Sequence, residues 1–171
     1  MNKPELLTEF FRLNTFNGFA PPFGMLKRMP WDDYFITIAA MIASRSTCLR
    51  RRYGAVIVKE HKIVSTGYNG APTGEDHCLD KGCWRMNNNI PHGQQYEKCV
   101  SSHAEMSAVV FGRPEDMRGA DIYIVGFDCV ESKFIPGIPC DICRRLLVNA
   151  GIENYITREF GIDGQLIVVK C

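Results

Sequence analysis

Cys140 and Cys143 stand three residues apart behind Pro139 at the start of a helical pattern, and this spacing restricts the chain's fold and chemistry more tightly than any other feature. At a helix start both sulfurs fall on one face of the first turn. The unpaired backbone N–H groups and the helix dipole there favour thiolate, the form that binds metal. The chain has eight cysteines in all, at positions 48, 78, 83, 99, 129, 140, 143 and 171, enough for a disulfide framework. Against that use, Glu5, Glu9 and Arg12 interrupt the apolar residues near the N-terminus, which spoils an export leader. No apolar run approaches the roughly 20 residues needed to cross a membrane. In the cytoplasmic setting this implies, metal binding is the expected use of the thiols.

Two thiolates leave a tetrahedral ion two ligands short. His103 is the natural third ligand, because it too opens a helical pattern, and the fourth position is then free for water. Three protein ligands plus water is the arrangement of a catalytic zinc site. Glu105 follows two residues later, close enough to act on that water without binding metal. H-x-E followed by P-C-x-x-C is the signature of zinc nucleobase deaminases. Zinc brings the pKa of its water to about 7, which makes hydroxide available for attack on C4 of cytosine or C6 of adenine. Glu105 then acts as proton shuttle, from the water to the ring nitrogen and the departing ammonia. Each piece also has an ordinary use. Ser102 to Glu105 matches a capping box, a lone histidine is usually structural, and a lone C-x-x-C serves redox chemistry or a closed zinc site. Their joint occurrence, each at a helix start beside a strand, favours the catalytic reading.

The remaining pattern predicts a helix over about 31–45, with Phe35, Ile38 and Ile42 at helical spacing and Asp32 and Asp33 in its first turn. Ala55–Val58 and Ile63–Thr66 read as a hairpin turning at Glu60-His61-Lys62. Residues 67–100 show no sustained periodicity, and a loop of that length inside a domain is usually functional. A helix from Ser102, a strand at Asp121–Val125, a helix around Ile142–Ala150 closed by Gly151, and strands at Ile152–Thr157 and Leu166–Val169 complete the order. Strands alternating with helices predict an α/β domain, a mixed sheet covered by helices, over 31–171, with residues 1–30 as an N-terminal extension. At 171 residues, 46% hydrophobic and 23% charged, the chain suits one such domain. A formal net charge of +1 gives no global attraction to nucleic acid or membrane.

Beyond the zinc motifs, Trp31-Asp-Asp-Tyr-Phe35, Ser46-Thr-Cys-Leu-Arg-Arg51, Gly54-Ala-Val-Ile-Val58 and Thr66-Gly-Tyr-Asn-Gly-Ala-Pro72 carry a resemblance. The chain resembles the deoxycytidylate (dCMP) deaminases of the cytidine deaminase superfamily from Trp31 to about Thr157. The resemblance implies a three-layer fold with a sheet of five strands and hydrolysis of dCMP to dUMP. It also implies a homo-oligomer whose subunits complete one another's sites, and regulation by dCTP and dTTP. By resemblance, Asn69 in the tight Gly67-Tyr68-Asn69-Gly70 loop bonds the deoxyribose. The basic cluster of Arg45, Arg50, Arg51 and Arg52 suits a 5′-phosphate, since guanidinium binds phosphate oxygens in a fixed fork. A solvated face is its competing reading. Arg113, after the zinc helix, reaches toward phosphate or a subunit interface.

Cys78, Cys83 and Cys99 in the long loop, with Cys48 upstream, would make a second, structural zinc site of four thiolates, for which His77 or His92 substitutes as a ligand. Free, partly buried thiols are the alternative. Two departures from the family pattern stand out: Ser107 where relatives often carry Asn, and a long Phe127–Ile138 segment that reads as a bulging loop at the mouth of the site. Two rivals to a free-nucleotide deaminase are a deaminase of single-stranded nucleic acid and a non-catalytic zinc-containing nucleotide sensor. The first needs a basic track with stacking aromatics, and an intact Glu105 argues against the second.

Overall fold

The computed structural model describes residues 28–91, 93–160 and 164–171. The short helix expected among Leu6, Phe10, Phe11 and Leu13 lies outside the described residues, as does His92. Helix α1 (Trp31–Ala43) follows Pro30 and carries Asp32 and Asp33 in its first turn. Its buried face is Phe35, Ile36, Ala39, Ala40 and Ala43, rotated from the Phe35, Ile38 and Ile42 stripe that periodicity suggests. The cause is a close approach to the sheet. A Cβ on Gly54 would stand 2.0 Å from the Ala39 carbonyl oxygen, so only small residues fit where the helix crosses that strand.

Strands β1 (Arg51–Lys59) and β2 (Lys62–Tyr68) form the expected antiparallel hairpin. Its two-residue turn, Glu60 and His61, has both φ angles positive, as such turns require, and the Trp31 ring stacks on His61 at 4.4 Å. Two single-turn helices, α2 (Cys78–Lys81) and α3 (Trp84–Asn87), and a 3₁₀ turn at Tyr96–Lys98 punctuate the long loop. Helices α4 (Ala104–Phe111) and α5 (Pro114–Met117) then lead into β3 (Ala120–Asp128). Strand β4 (Lys133–Pro136), helix α6 (Asp141–Ala150), β5 (Ile152–Arg158) and β6 (Leu166–Lys170) complete the chain.

The sheet runs β2-β1-β3-β5-β6, mixed as expected, and has six strands rather than five. The added strand, β4, falls in the segment read as a bulging loop. It pairs with Val125–Asp128 of β3, while β5 runs parallel to Ala120–Tyr123, so β4 and β5 share one edge of β3. The Asp128 carboxylate makes the reversal, accepting from the Val130 and Glu131 N–H groups at 3.0 and 3.1 Å. Phe134 then buries itself between Phe127 and Phe160.

Side chains of β1 and β3 alternate between two cores. Val56, Val58, Tyr123 and Val125 meet α1 on one face; Ala55, Ile57, Ile122 and Ile124 pack with Ala104 and Ala108 of α4 and Leu147 of α6 on the other. Apolar residues on both faces follow from helices covering both faces. Among the described residues, no helix is long and apolar enough to cross a membrane.

Gly67 sets the height of α4 above the sheet. A Cβ there would stand 2.3 Å from both the Ala104 carbonyl oxygen and the Ala108 nitrogen, which are helix backbone and cannot rotate away. Gly67→Ala therefore has to lift α4, with His103 and Glu105 at its start. We expect a loss of about 3 kcal/mol, a fall in Tm of roughly 6–12 °C by calorimetry. An unchanged Tm would show that α4 is not seated on this strand.

Candidate active site

Helices α4 and α6 start side by side. His103 is the N-cap residue of α4 and Cys140 that of α6; neither side chain caps its helix, which leaves both free to face each other. Cys143 lies in the first turn of α6, as the three-residue spacing predicts. His103 Nδ1 stands 3.6 Å from Cys140 Sγ and 3.3 Å from Cys143 Sγ, and all three ligand atoms lie within 4.8 Å of one another. Zinc bonds of ordinary length at a tetrahedral angle put nitrogen and sulfur about 3.6 Å apart, so the donor set fits zinc in both chemistry and spacing. Among the described residues this is the one group of three or more His, Cys, Asp or Glu side chains that converges in this way. Cys143 is buried and Cys140 exposed at the rim.

Glu105 is not a capping-box residue. The helix begins one residue later than the Ser102-x-x-Glu105 pattern requires, and Ser102 instead bridges to Gly70 of the preceding loop. The Glu105 side chain is buried. Burial raises its pKa above the usual carboxyl range, against the opposing pull of its own N–H, His103 and Cys143. The Cys143 thiol is pushed up as well, first by burial and then by Glu105 and Cys140. A cation is what would release these protons together.

Glu105, His103 and Cys140 line a cavity of about 160 Å³ with Ile124 behind them. Asn69, Arg50 and Arg51 line it too. The Asn69 amide is largely committed to the protein: Oδ1 accepts from the Tyr53 N–H (2.6 Å) and the Ser46 hydroxyl (2.7 Å), and Nδ2 donates to the Arg51 carbonyl (2.9 Å). Arg51 is paired with Asp128 at 2.9 Å. Burial raises the Asp128 pKa, but the Glu131 N–H, Arg51 and the Val130 N–H outweigh it and hold the carboxyl below its usual range.

Tyr68 and Arg113 do not line this cavity. Tyr68 borders a separate groove of about 540 Å³ between β2 and α4, with Ser107, whose hydroxyl donates to the His103 carbonyl at 3.2 Å. Arg113 precedes α5. Cys48, Cys78, Cys83 and Cys99 all line the cavity, at its loop side. The Cys78 thiol is pushed up to about 12 by burial and then by Cys83, Cys48 and Cys99, although no three of these sulfurs lie within 4.8 Å of one another. His77 is paired with Asp80 at 2.9 Å.

Three lining residues have no warning in the sequence pattern: Tyr53, Arg85 and Tyr96. The Tyr96 ring meets the His103 ring edge-on at 5.7 Å, and the Arg85 guanidinium sits 4.2 Å from the Tyr96 centroid. All three come from stretches whose local sequence reads as strand or polar loop, and only the fold turns them inward.

The model of the cytidine and deoxycytidylate deaminase zinc-binding region matches residues 29–159. The chain belongs to that family. It is therefore an enzyme of the deaminase class, and the His103, Cys140 and Cys143 cluster lies within the matched region. A deoxycytidylate deaminase of Mycobacterium phage D29 is 35% identical over 136 residues, covering 77% of this chain and 96% of the phage protein. The deoxycytidylate deaminase of Schizosaccharomyces pombe is 36% identical over 130 residues, 75% of this chain but only 37% of that longer protein. Among solved structures, the cyanophage S-TIM5 dCMP deaminase in complex with dCMP and dUMP shares the fold. Its TM-score is 0.52 at 20% identity, over 75% of this chain and 82% of that one.

Proposed function

We propose that this chain is a zinc-dependent hydrolytic deaminase of a free deoxynucleotide, converting dCMP and water to dUMP and ammonia. The observation that carries the reading is the convergence of His103, Cys140 and Cys143 on one another, with His103, Cys140 and a buried Glu105 lining one small cavity. Relatives bearing the name deoxycytidylate deaminase support the choice of substrate. His103, Cys140 and Cys143 hold the zinc, which when bound supplies the Lewis acidity that brings a water's pKa near neutral. Glu105 takes a proton from the water that attacks C4 and passes it to the ring nitrogen, then takes the second proton from the hydroxyl now on C4 and gives it to the amino group as the C4–N bond breaks. Burial of Glu105 keeps bulk water from competing for those protons.

At about 160 Å³ the cavity is smaller than the roughly 300–1,000 Å³ typical of pockets for larger ligands, so it suits the base, with sugar and phosphate extending toward the arginines that line it. The second N–H of the Asn69 amide is left for the deoxyribose. Arg50 and Arg51 line the same cavity and are the proposed partners of the phosphate, Arg50 the freer of the two because Arg51 is paired with Asp128. Tyr68 and Arg113, off the cavity, reach a nucleotide only across a subunit boundary. Val110 and Phe111, 75% and 73% exposed beside the second groove, support the homo-oligomer reading. Regulation by dCTP and dTTP rests on resemblance alone. Eight free thiols suit a reducing, cytoplasmic setting. Residues 31–171 act as the deaminase domain on this reading, with 1–30 as an extension.

Cys48, Cys78, Cys83 and Cys99 are proposed to hold a second, structural zinc, drawn together when the metal displaces their protons. Metal analysis of purified protein is expected to give two zinc per chain. One per chain would leave these thiols free.

The functional test is turnover of dCMP beside deoxycytidine, CMP and a cytosine-containing single-stranded oligonucleotide, with and without dCTP. A strong preference for dCMP is expected. Preference for the oligonucleotide would keep the chemistry and overturn the substrate; zinc-loaded protein inert toward all four would favour a nucleotide sensor.

A further inference from the structure

Arg85 is a buried cation with no anion. It is 5% exposed, and no carboxylate among the described residues pairs with it. Of the five N–H donors of a guanidinium, the structure gives one an acceptor, the Pro91 carbonyl at 3.0 Å, and its Nε is buried with none. Burying a charge in this way is costly unless something of opposite sign arrives. Arg50 repeats the pattern on the neighbouring carbonyl: its Nη1 donates to the Ile90 carbonyl at 2.9 Å, and among the described residues it too has no carboxylate partner. Consecutive carbonyls thus hold two guanidinium groups that line the cavity containing Glu105 and His103. Arg51 beside them differs, because Asp128 already satisfies it.

We propose that Arg85, together with Arg50, receives the anionic end of the substrate, the 5′-phosphate, and that Arg85 is a specificity-determining residue for nucleotide over nucleoside. The inference rests on the deaminase reading of the site and adds to it a residue that the family motifs do not point to. Tyr96 braces the arrangement. Its ring lies under the Arg85 guanidinium and edge-on to His103, so the anion receptor and the metal ligand share one rigid wall. The four loop cysteines offer the competing account, in which the two arginines balance the charge of a thiolate–metal site.

The experiment measures Arg85→Gln and Arg85→Lys on the zinc-loaded protein, each with dCMP and with deoxycytidine, and determines zinc content and Tm alongside. Losing hydrogen bonds to a charged group predicts that the ratio of kcat/KM for dCMP to that for deoxycytidine falls about 10- to 100-fold in Arg85→Gln. Arg85→Lys should restore part of it, and zinc content should match wild type. Equal losses on both substrates, or loss of a zinc equivalent, would overturn the proposal and assign Arg85 to the thiol cluster. Calorimetric titration of wild type and Arg85→Lys with dUMP and with deoxyuridine keeps the test open if Arg85→Gln fails to fold. Wild type should prefer dUMP, and Arg85→Lys should lose at least part of that preference. An unchanged preference in the variant would overturn the proposal. This arm needs no turnover, so failure of the deaminase reading and failure of the arginine assignment are told apart.

Discussion

Glu105→Gln should yield a folded protein that keeps its zinc and turns over dCMP at least about 1,000-fold more slowly than wild type. The amide has the shape of the carboxyl and fits the same buried site, but it cannot take a proton and give it back. General acid–base catalysis contributes about 10²- to 10⁴-fold, and here one group serves both directions. The substitution also has a signature in stability. Burial raises the Glu105 pKa, so its favourable contribution is present in full below the ordinary carboxyl pKa and is lost as pH rises through the raised value. Glutamine does not titrate. Metal-free Glu105→Gln should therefore be at least as stable as metal-free wild type at pH 7, and its stability relative to wild type should rise with pH over that range. A rate within tenfold of wild type would remove Glu105 from proton transfer, whatever the stability result.

Cys143→Ala is the second large effect, and it acts on metal and fold together. Cys143 is the buried member of the cluster, and its sulfur is the one nearer to His103 Nδ1. Removing it leaves two ligands on two different helices, too few for a stable site. Zinc content should fall by one equivalent and dCMP turnover should drop below detection. Zinc binding to the native state contributes about 4 kcal/mol when the metal is a thousandfold above its Kd, so Tm should fall by roughly 8–16 °C. Cys129→Ala controls for the loss of any cysteine. Cys129 is half-buried outside the cavity, and its variant should retain zinc and activity within about twofold. Full zinc content in Cys143→Ala would place the metal elsewhere.

The convergence of His103, Cys140 and Cys143 was readable in the sequence because its geometry is local. Spacing within one helical turn aligns Cys140 with Cys143, and a helix start presents His103, so only the meeting of two helix starts depends on the fold. The hairpin, the three main covering helices and the order of the other strands were likewise carried by short-range pattern. Strand β4 was not. Its four residues end in Pro136 and alternate too briefly to register, and what makes them a strand is the Asp128 reversal and the burial of Phe134. The most buried face of α1 departs from the visible periodicity for a related reason. Periodicity weights large apolar residues, whereas a close helix–sheet crossing at Gly54 selects alanines.

The substrate side of the site was less legible. Arg50 and Arg51 look alike in a basic run, yet Asp128, far along the chain, satisfies Arg51, and no carboxylate among the described residues pairs with Arg50. Arg85 sits in a polar loop where a charged residue is ordinarily solvated, and its burial is a consequence of how that loop folds over the cavity. Asn69 stands in a loop motif that suggests ligand binding, and the structure also shows it bonding Ser46, Tyr53 and Arg51.

The most direct test of the account is a zinc titration of metal-free protein followed by dCMP turnover, with dUMP and ammonia both quantified. The account predicts no turnover without metal and recovery as zinc is added. It also predicts one ammonia released for each dUMP formed, with Cys143→Ala silent at every zinc concentration. Full turnover by metal-free protein, or zinc-replete protein that forms no dUMP, would contradict it.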